Sequence, residues 1–504
     1  MKRICQIISL LLAMLLLASL ASCGAKDMED AGGPPPKGEN ASGSYDNFSG
    51  VIFDGDDAET PGFSENPFIA TAEQRLSTFS ADVDTASYSY FRKLINNGYT
   101  LTQLKQIASS FRTEEFLNYF RYDTSAPTEG SLFGVTADVV PTPWSTATVL
   151  MRLSLQAEER INTEGNNLVF LIDVSGSMNS KDKLPLLQES FSLLTESLTE
   201  RDTVSIVTYS GKEQVVLDGC RGNETQTILD AIAGLRAYGS TNGEAGLNQA
   251  YTLAERHRIE GENNRIIMAS DGDLNVGISS EEELTAFVEE KRESGIYLSV
   301  LGFGTGNYRD AKMEALADNG NGIYYYIDGA SEAERVFGSD LLSTLYTVAE
   351  NVKLQIDFDP NYVASYRLIG YENRLLAEED FEDDTKDAGE VGAGHTVTVF
   401  YELTLAEGAR AADEPWMKLA VRYREPGEST SLYNEYPIGA TNLKESPDAD
   451  VAFMECVIQT VMILHDSRYQ NGATLEGVIE TLEGLDLADS PDRLEFLNLL
   501  KKLV

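Results

Sequence analysis

The chain has 504 residues, more than one hydrophobic core organises, and an apolar and aromatic content that fits a folded protein of two or three domains. Asp and Glu number 81 against 39 Lys and Arg, a formal net charge of −42. That balance argues against nucleic acid as a partner, because phosphate binding needs clustered Lys and Arg, and it suits a solvated surface that draws cations.

Lys2 and Arg3 make a positive start, and 7–20 is an apolar stretch too short to span a membrane comfortably. Leu20-Ala21-Ser22 then places small residues before a cleavage point, so 1–22 is predicted to be a signal peptide. With the cysteine that follows, this segment resembles the lipobox of bacterial lipoproteins. The resemblance implies that Cys23 is lipidated and anchors the mature chain to a membrane of the cell envelope, facing outside the cytoplasm. The alternative is an ordinary secretory signal with Cys23 incidental. No later run has the length of a membrane-spanning helix. Cys220 and Cys456 fall in different predicted regions and are expected to be buried free thiols rather than a disulfide. Residues 23–65 are rich in Gly, Pro, Ser, Asp and Glu around Pro34-Pro35-Pro36, a composition that predicts a disordered tether.

From 66 to 160 the pattern predicts a small α+β region. A strand is expected at 76–80 and helices at 87–96 and 113–122, where Tyr90, Phe91, Leu94, Phe116, Leu117 and Phe120 recur at helical spacing. In Asp82-Val83-Asp84-Thr85, Asp84 or Thr85 is placed to cap the first helix. Segments 132–140 and 148–156 alternate apolar and polar residues, predicting antiparallel strands with one solvated face. From 164 to 345 short apolar strands at 168–172, 203–209, 214–217, 265–269, 296–301 and 322–327 alternate with helices. The helices are predicted at 184–200, 226–235, 245–258, 281–294, 310–317 and 330–350. That alternation predicts a doubly wound α/β domain, whose ligands sit beyond the carboxyl ends of the strands. From 346 to 504 come strands at 353–358, 366–368, 396–403 and 417–423, then three amphipathic helices at 448–464, 475–482 and 492–503. The acidic run 378–384 reads as a solvated loop.

Three segments of the middle region carry chemistry. Asp173-Val174-Ser175-Gly176-Ser177 follows the apolar run Leu168-Val169-Phe170-Leu171-Ile172. Gly239-Ser240-Thr241-Asn242-Gly243 offers a hydroxyl on a glycine-rich loop, and Ser270-Asp271-Gly272-Asp273 follows a second apolar strand. Asp173, Ser175, Ser177, Thr241 and Asp271 can meet on one rim of the sheet. All five are hard oxygen donors, which favours Mg²⁺, Mn²⁺ or Ca²⁺ over Zn²⁺ or copper. Two carboxylates and three neutral hydroxyls leave the ion under-neutralised, with a position that a partner's Asp or Glu carboxylate would fill. Asp-x-Ser-x-Ser by itself also fits a loop that caps the next helix. Asp273 either orients a ligand or water around the ion or caps its own loop.

Asp173-Val174-Ser175-Gly176-Ser177-Met178, then Thr241, then Asp271-Gly272, resembles the metal-ion-dependent adhesion site of von Willebrand factor A (VWA) domains. The resemblance implies a Rossmann-like sheet in which Asp173, Ser175, Ser177 and Thr241 hold the ion and Asp271 binds directly or through water. The segment from Phe79 to Ser89 and the stretch Ser270 to Gly277 narrow it further. Together they resemble bacterial lipoproteins with this domain at 164–345, between an N-terminal von Willebrand-associated region at 66–160 and a C-terminal β plus helical domain at 346–504. The likeness covers nearly everything after the tether and is weakest in the C-terminal region.

Catalysis has little support. The three histidines, His257, His395 and His465, lie in no His-Glu-x-x-His pattern, and no Gly-x-Ser-x-Gly or phosphate-binding loop is present. His257 and His465 fall near helix ends, where surface or terminus roles are expected. The first functional reading is a non-enzymatic, membrane-tethered module that binds a protein's acidic side chain through Mg²⁺. The second is a structural or assembly factor of the envelope whose ion mainly stabilises the sheet. A hydrolase with its site in the C-terminal region is the third.

Overall fold

Leu168 to Ile172 is an uninterrupted apolar run, and in a computed structural model of the chain it lies at the centre of a six-stranded sheet. The structure describes residues 64–504 apart from 161–164, 240–242, 261, 273–280, 293, 305–309 and 341–345. The predicted signal peptide and nearly all of the tether, with Cys23, therefore lie outside the described residues, as do Thr241 and Asp273.

The central sheet runs Tyr324–Ile327, Tyr297–Phe303, Asn263–Ser270, Asn166–Asp173, Thr203–Tyr209, Gln214–Arg221. Neighbours are parallel except the last pair, which is antiparallel. Asn166–Asp173 is buried at every position because helices cover both faces. Val169 and Leu171 share a core with Leu247 and Tyr251 of helix Gly243–Arg256. Leu168, Phe170 and Ile172 join Leu187, Phe191 and Leu194 of helix Leu184–Ser197, and the Phe170 and Phe191 rings meet edge-on at 4.6 Å. Each such side chain contributes about 1.5–3 kcal/mol by leaving water. The chain moves to opposite sides of Asn166–Asp173 with its next two parallel strands, so the carboxyl end of that strand is the switch point of the sheet.

The two flanks share their β-structure. One antiparallel sheet runs Ile69–Ala70, Val363–Ile369, Thr396–Leu405, Val149–Ala157, Phe133–Pro141. The other runs Leu375–Leu376, Leu76–Ser80, Thr347–Phe358, Met417–Arg424, Ser431–Ile438, with Gly389–Gly392 also against Thr347–Phe358. Leu76–Ser80 thus sits between two strands from beyond the central domain. The sheets face one another: Phe358 stacks on Tyr366 at 4.2 Å, and Ser77 Oγ lies 2.8 Å from the Tyr401 hydroxyl. Helices Ala86–Asn96, Thr113–Tyr119, Ala449–Leu464, Leu475–Glu483 and Pro491–Lys501 share a second core with Leu150 and Phe400 on the outer face of the first sheet.

Several expectations change on this background. Val149–Ala157 has no solvated face, being buried everywhere but Gln156. Its polar positions are paired instead: Arg152 Nε donates to Ser154 Oγ at 3.0 Å, and Ser154 Oγ lies 3.2 Å from Thr398 Oγ1. The helix predicted over 330–350 ends early. Ala330–Glu334 continues as a π turn at Arg335–Asp340, and Thr347 to Glu350 begin strand Thr347–Phe358. Thr85 occupies the N-cap of Ala86–Asn96 without a side-chain cap bond, its hydroxyl accepting from Arg335 Nη2 at 3.2 Å. Asp84 accepts from the Tyr324 N–H at 2.9 Å, tying the helix to the central sheet. The acidic run is partly structural, since the carbonyls of Asp380 and Asp383 accept from Lys353 Nζ at 3.0 and 2.6 Å. Strand Ser431–Ile438, an edge strand with Leu432, Tyr433, Glu435 and Pro437 exposed, was not predicted. Cys220 and Cys456 are both buried and free.

Helix Ala449–Leu464 is buried on most sides rather than amphipathic. Its Glu455 therefore carries a carboxyl pushed up to about 8, by burial first and then by the charge of Asp448. A raised carboxyl favours the folded state below its unfolded value, about 4.3, and that contribution is lost as pH rises through about 8. Glu455→Gln is expected to be nearly neutral at pH 4.5 and to stabilise by about 1–3 kcal/mol at pH 8.5. Urea unfolding at both pH values checks this, and an equal effect at the two would sink it.

Candidate metal centre

The site begins where the apolar strand ends. Asp173 is the last residue of Asn166–Asp173 and is fully buried; its Oδ1 accepts from the Ser175 N–H at 2.7 Å, which turns the chain off the sheet. Ser175 is buried and Ser177 exposed, with their hydroxyl oxygens 3.0 Å apart. Two backbone bonds dock the following glycine-rich loop on this turn: Tyr238 N–H to Val174 O at 2.7 Å, and Gly176 N–H to Gly239 O at 3.1 Å. Gly239 has φ +83°, a left-handed conformation that suits glycine. Tyr238 and Gly239 are therefore held on the turn that follows Asp173, and Thr241 lies outside the described residues.

The second carboxylate comes from the neighbouring strand. Asn166–Asp173 and Asn263–Ser270 are parallel, with Ile172 opposite Ala269, so Asp271 emerges on the same rim as Asp173. Asp271 is buried, and Gly272 after it turns with φ +87°. Both carboxylates act on one buried hydroxyl. Burial first, then the charge of Asp173 and more weakly that of Asp271, pushes the Tyr209 phenol well above its ordinary range. Asp173, Ser175, Ser177 and Asp271 are thus brought together on one rim; Asp273 lies outside the described residues.

The donors fit a small hard cation. Adjacent ligands of an octahedral ion with bonds of about 2.0–2.1 Å stand about 2.9 Å apart, close to the Ser175–Ser177 hydroxyl spacing. Among the described residues no group of three or more His, Cys, Asp or Glu side chains is placed to hold a metal, so an ion here depends on hydroxyls as well as carboxylates.

A cation of the chain itself reaches the same carboxylate. Lys183 Nζ lies 2.7 Å from Asp271 Oδ2. Sequence reasoning passed over Lys183, whose only local signal is a lysine just before an apolar helix. The flank also reaches this loop: Lys93 of helix Ala86–Asn96 pairs with Asp182 at 3.2 Å and donates to the Asp328 carbonyl at 3.0 Å.

The histidines lie in other surroundings. His257 Nε2 is 2.7 Å from Asp218 Oδ1 just past the end of helix Gly243–Arg256. His465 sits at the C-cap of Ala449–Leu464, the terminus role expected of it, and is half-buried. Its Nε2 lies 2.8 Å from the Ala108 carbonyl, and burial holds its imidazole below the ordinary range. Among the described residues no helix is long and apolar enough to cross a membrane.

Three family models match the chain. They are von Willebrand factor over 56–152, von Willebrand factor type A domain over 167–338, and "Uncharacterized protein YfbK, C-terminal" over 343–504. Protein YfbK of Escherichia coli (strain K12) is 38% identical over 467 residues, covering 87% of this chain and 80% of that protein. Inter-alpha-trypsin inhibitor heavy chain H3 of Homo sapiens is 26% identical over 270 residues, 49% of this chain and 29% of its own length. Among solved structures, a von Willebrand factor type A protein from Catenulispora acidiphila aligns over 76% of this chain and 88% of its own, with TM-score 0.43 and 15% identity. With a type A domain at its centre and likeness to YfbK along most of its length, the chain belongs to the YfbK family of bacterial VWA-domain proteins.

Proposed function

We propose that this chain is a cell-envelope lipoprotein, anchored through Cys23, that binds a protein partner and is not an enzyme. In this reading Asp173, Ser175, Ser177, Thr241 and Asp271 hold Mg²⁺, or Mn²⁺ or Ca²⁺, and the ion takes an Asp or Glu carboxylate of the partner. The observation that carries it is the convergence of Asp173, Ser175, Ser177 and Asp271 on the carboxyl rim at the switch point, with Tyr238 and Gly239, shortly before Thr241, bonded to the same turn. Two carboxylates and three hydroxyls fill at most five of the six positions of an octahedral ion, so a partner's carboxylate can complete its coordination.

Asp173→Asn keeps an oxygen for the Ser175 turn and removes the charge. At Mg²⁺ about 100-fold above its dissociation constant, the ion should stabilise the wild type by about 2.7 kcal/mol, or roughly 3 °C in Tm, and this gain should vanish in the variant. Cross-linking on intact cells, with Mg²⁺ or EDTA, is expected to capture a partner only for the wild type with Mg²⁺. Capture that ignores both the chelator and the substitution would overturn metal-mediated binding and leave the ion a structural part of an assembly factor.

A further inference from the structure

We infer that Lys183 is a resident counter-cation of the metal site: it lowers the affinity for divalent ions and leaves a bound ion with more uncompensated charge for an acidic ligand. The inference rests on the metal reading above and names how that site is tuned.

The ammonium occupies a built position. Lys183 Nζ lies 2.7 Å from Asp271 Oδ2, with the lysine side chain 11% exposed and the aspartate side chain 0%. Its backbone is fixed from both sides: Lys183 N–H donates to Ser180 O at 3.1 Å, and Lys183 O accepts from Leu187 N–H at 2.9 Å in the first turn of helix Leu184–Ser197. Its stem passes against Gly304, where a Cβ would stand 2.2 Å from Lys183 Cε. Gly304 has φ +74°, and its carbonyl accepts from the Tyr326 hydroxyl at 2.8 Å. A glycine at this point of the rim leaves room for the lysine to reach Asp271. The neighbouring Asp182 is tied down by Lys93, which holds the loop from its other side.

The consequence follows from charge. Asp173 and Asp271 without Lys183 present two negative charges to an ion; with it they present a net of one. An ion that uses Asp271 shares that carboxylate with an ammonium in a place largely shut off from water, where like charges repel strongly. Metal affinity falls, and the loaded site keeps a larger net positive charge toward an incoming carboxylate. Lys183 is a positioning and tuning residue here, acting on the ion through Asp271.

The test is metal binding alone, by calorimetry with Mg²⁺ and by luminescence with Tb³⁺, on wild type, Lys183→Met and Lys183→Gln. Methionine keeps the unbranched stem, and glutamine keeps a hydrogen-bond donor without charge. Both variants are expected to bind Mg²⁺ about tenfold more tightly than the wild type, with a larger gain for Tb³⁺ because the repulsion scales with ionic charge. A residue that merely orients Asp271 would give weaker binding in Met, rescue in Gln, and no dependence on ionic charge, and that pattern overturns the inference. Equal affinities in all three proteins overturn it as well while leaving the metal reading intact. No binding in any of them overturns the metal reading and the inference together. Binding in the variants alone overturns the metal reading for the native chain, and with it the inference that the lysine tunes a loaded site.

Discussion

Replacing Arg92 with methionine is expected to lower the stability of the fold by about 3–5 kcal/mol, the usual cost of removing one partner from a buried ionic cluster. Arg92 is 3% exposed and joins four segments. From helix Ala86–Asn96 its Nε and Nη2 each donate to Asp328 at 2.7 Å, and Nη2 also pairs with Glu332 at 2.6 Å. Nη1 reaches the Tyr119 hydroxyl at 2.7 Å and Glu495 of the last helix at 3.0 Å. Loss of the guanidinium strands Asp328, whose carboxyl burial already pushes up against the pull of Arg92. Glu332 keeps Arg335, also an ion-pair partner. Burial opposes the Glu332 charge, yet Arg335 and Arg92 hold its carboxyl below the usual range. A depressed carboxyl contributes stability above its unfolded value of about 4.3 and loses it as pH falls through the folded value. The penalty of Arg92→Met should therefore shrink in acid. Urea unfolding at pH 7 and pH 4 measures both, and a loss below about 1 kcal/mol at pH 7 would show that the cluster is not a structural hub.

A chain ended after residue 345 is expected to lose the folded structure of its N-terminal flank altogether. Leu76–Ser80 would be deprived of both neighbours, Thr347–Phe358 and Leu375–Leu376, and Ile69–Ala70 of Val363–Ile369. Phe133–Pro141 and Val149–Ala157 would remain as a two-stranded hairpin without Thr396–Leu405 beside it, and an isolated hairpin is at best marginally stable in water. Helices Ala86–Asn96 and Thr113–Tyr119 would also lose the core they share with Ala449–Leu464 and Pro491–Lys501. Hydrogen exchange is the decisive measurement. Amides of Leu76–Ser80 and Val149–Ala157 should exchange slowly in the full chain and freely in the truncated one. Continued protection in the fragment would mean that the N-terminal flank folds without the C-terminal strands.

The central domain was readable because its strands are short apolar runs between helical patterns, so local pattern and final burial coincide. Phe170 and its neighbours illustrate this: every residue of the run is buried, and periodicity needed no distant partner to make sense. Asp173, Ser175 and Ser177 were readable for a related reason, since alternate oxygen donors after a buried strand form one turn, here closed by the Asp173–Ser175 bond. Where the reading failed, the deciding partner was far away. The alternation of Arg152 and Ser154 is what a solvated face would show, and only Thr398 and a covering helix layer make it interior. Thr347 to Glu350 have nothing local that rejects a helix, and they become strand by pairing with Gly389–Gly392 and Met417–Arg424.

The α/β class of the middle region, the strand-end position of Asp173 and Asp271, and the hard-oxygen chemistry of the rim are written locally, because each is set by residues a few positions apart. Only folding brings two flanks separated by a whole domain into one pair of sheets, joins four segments at Arg92, and sets Lys183 against Asp271 across the rim. Cross-strand pairing and buried charge compensation act between residues that meet only after the chain has folded, so no local pattern along it records them.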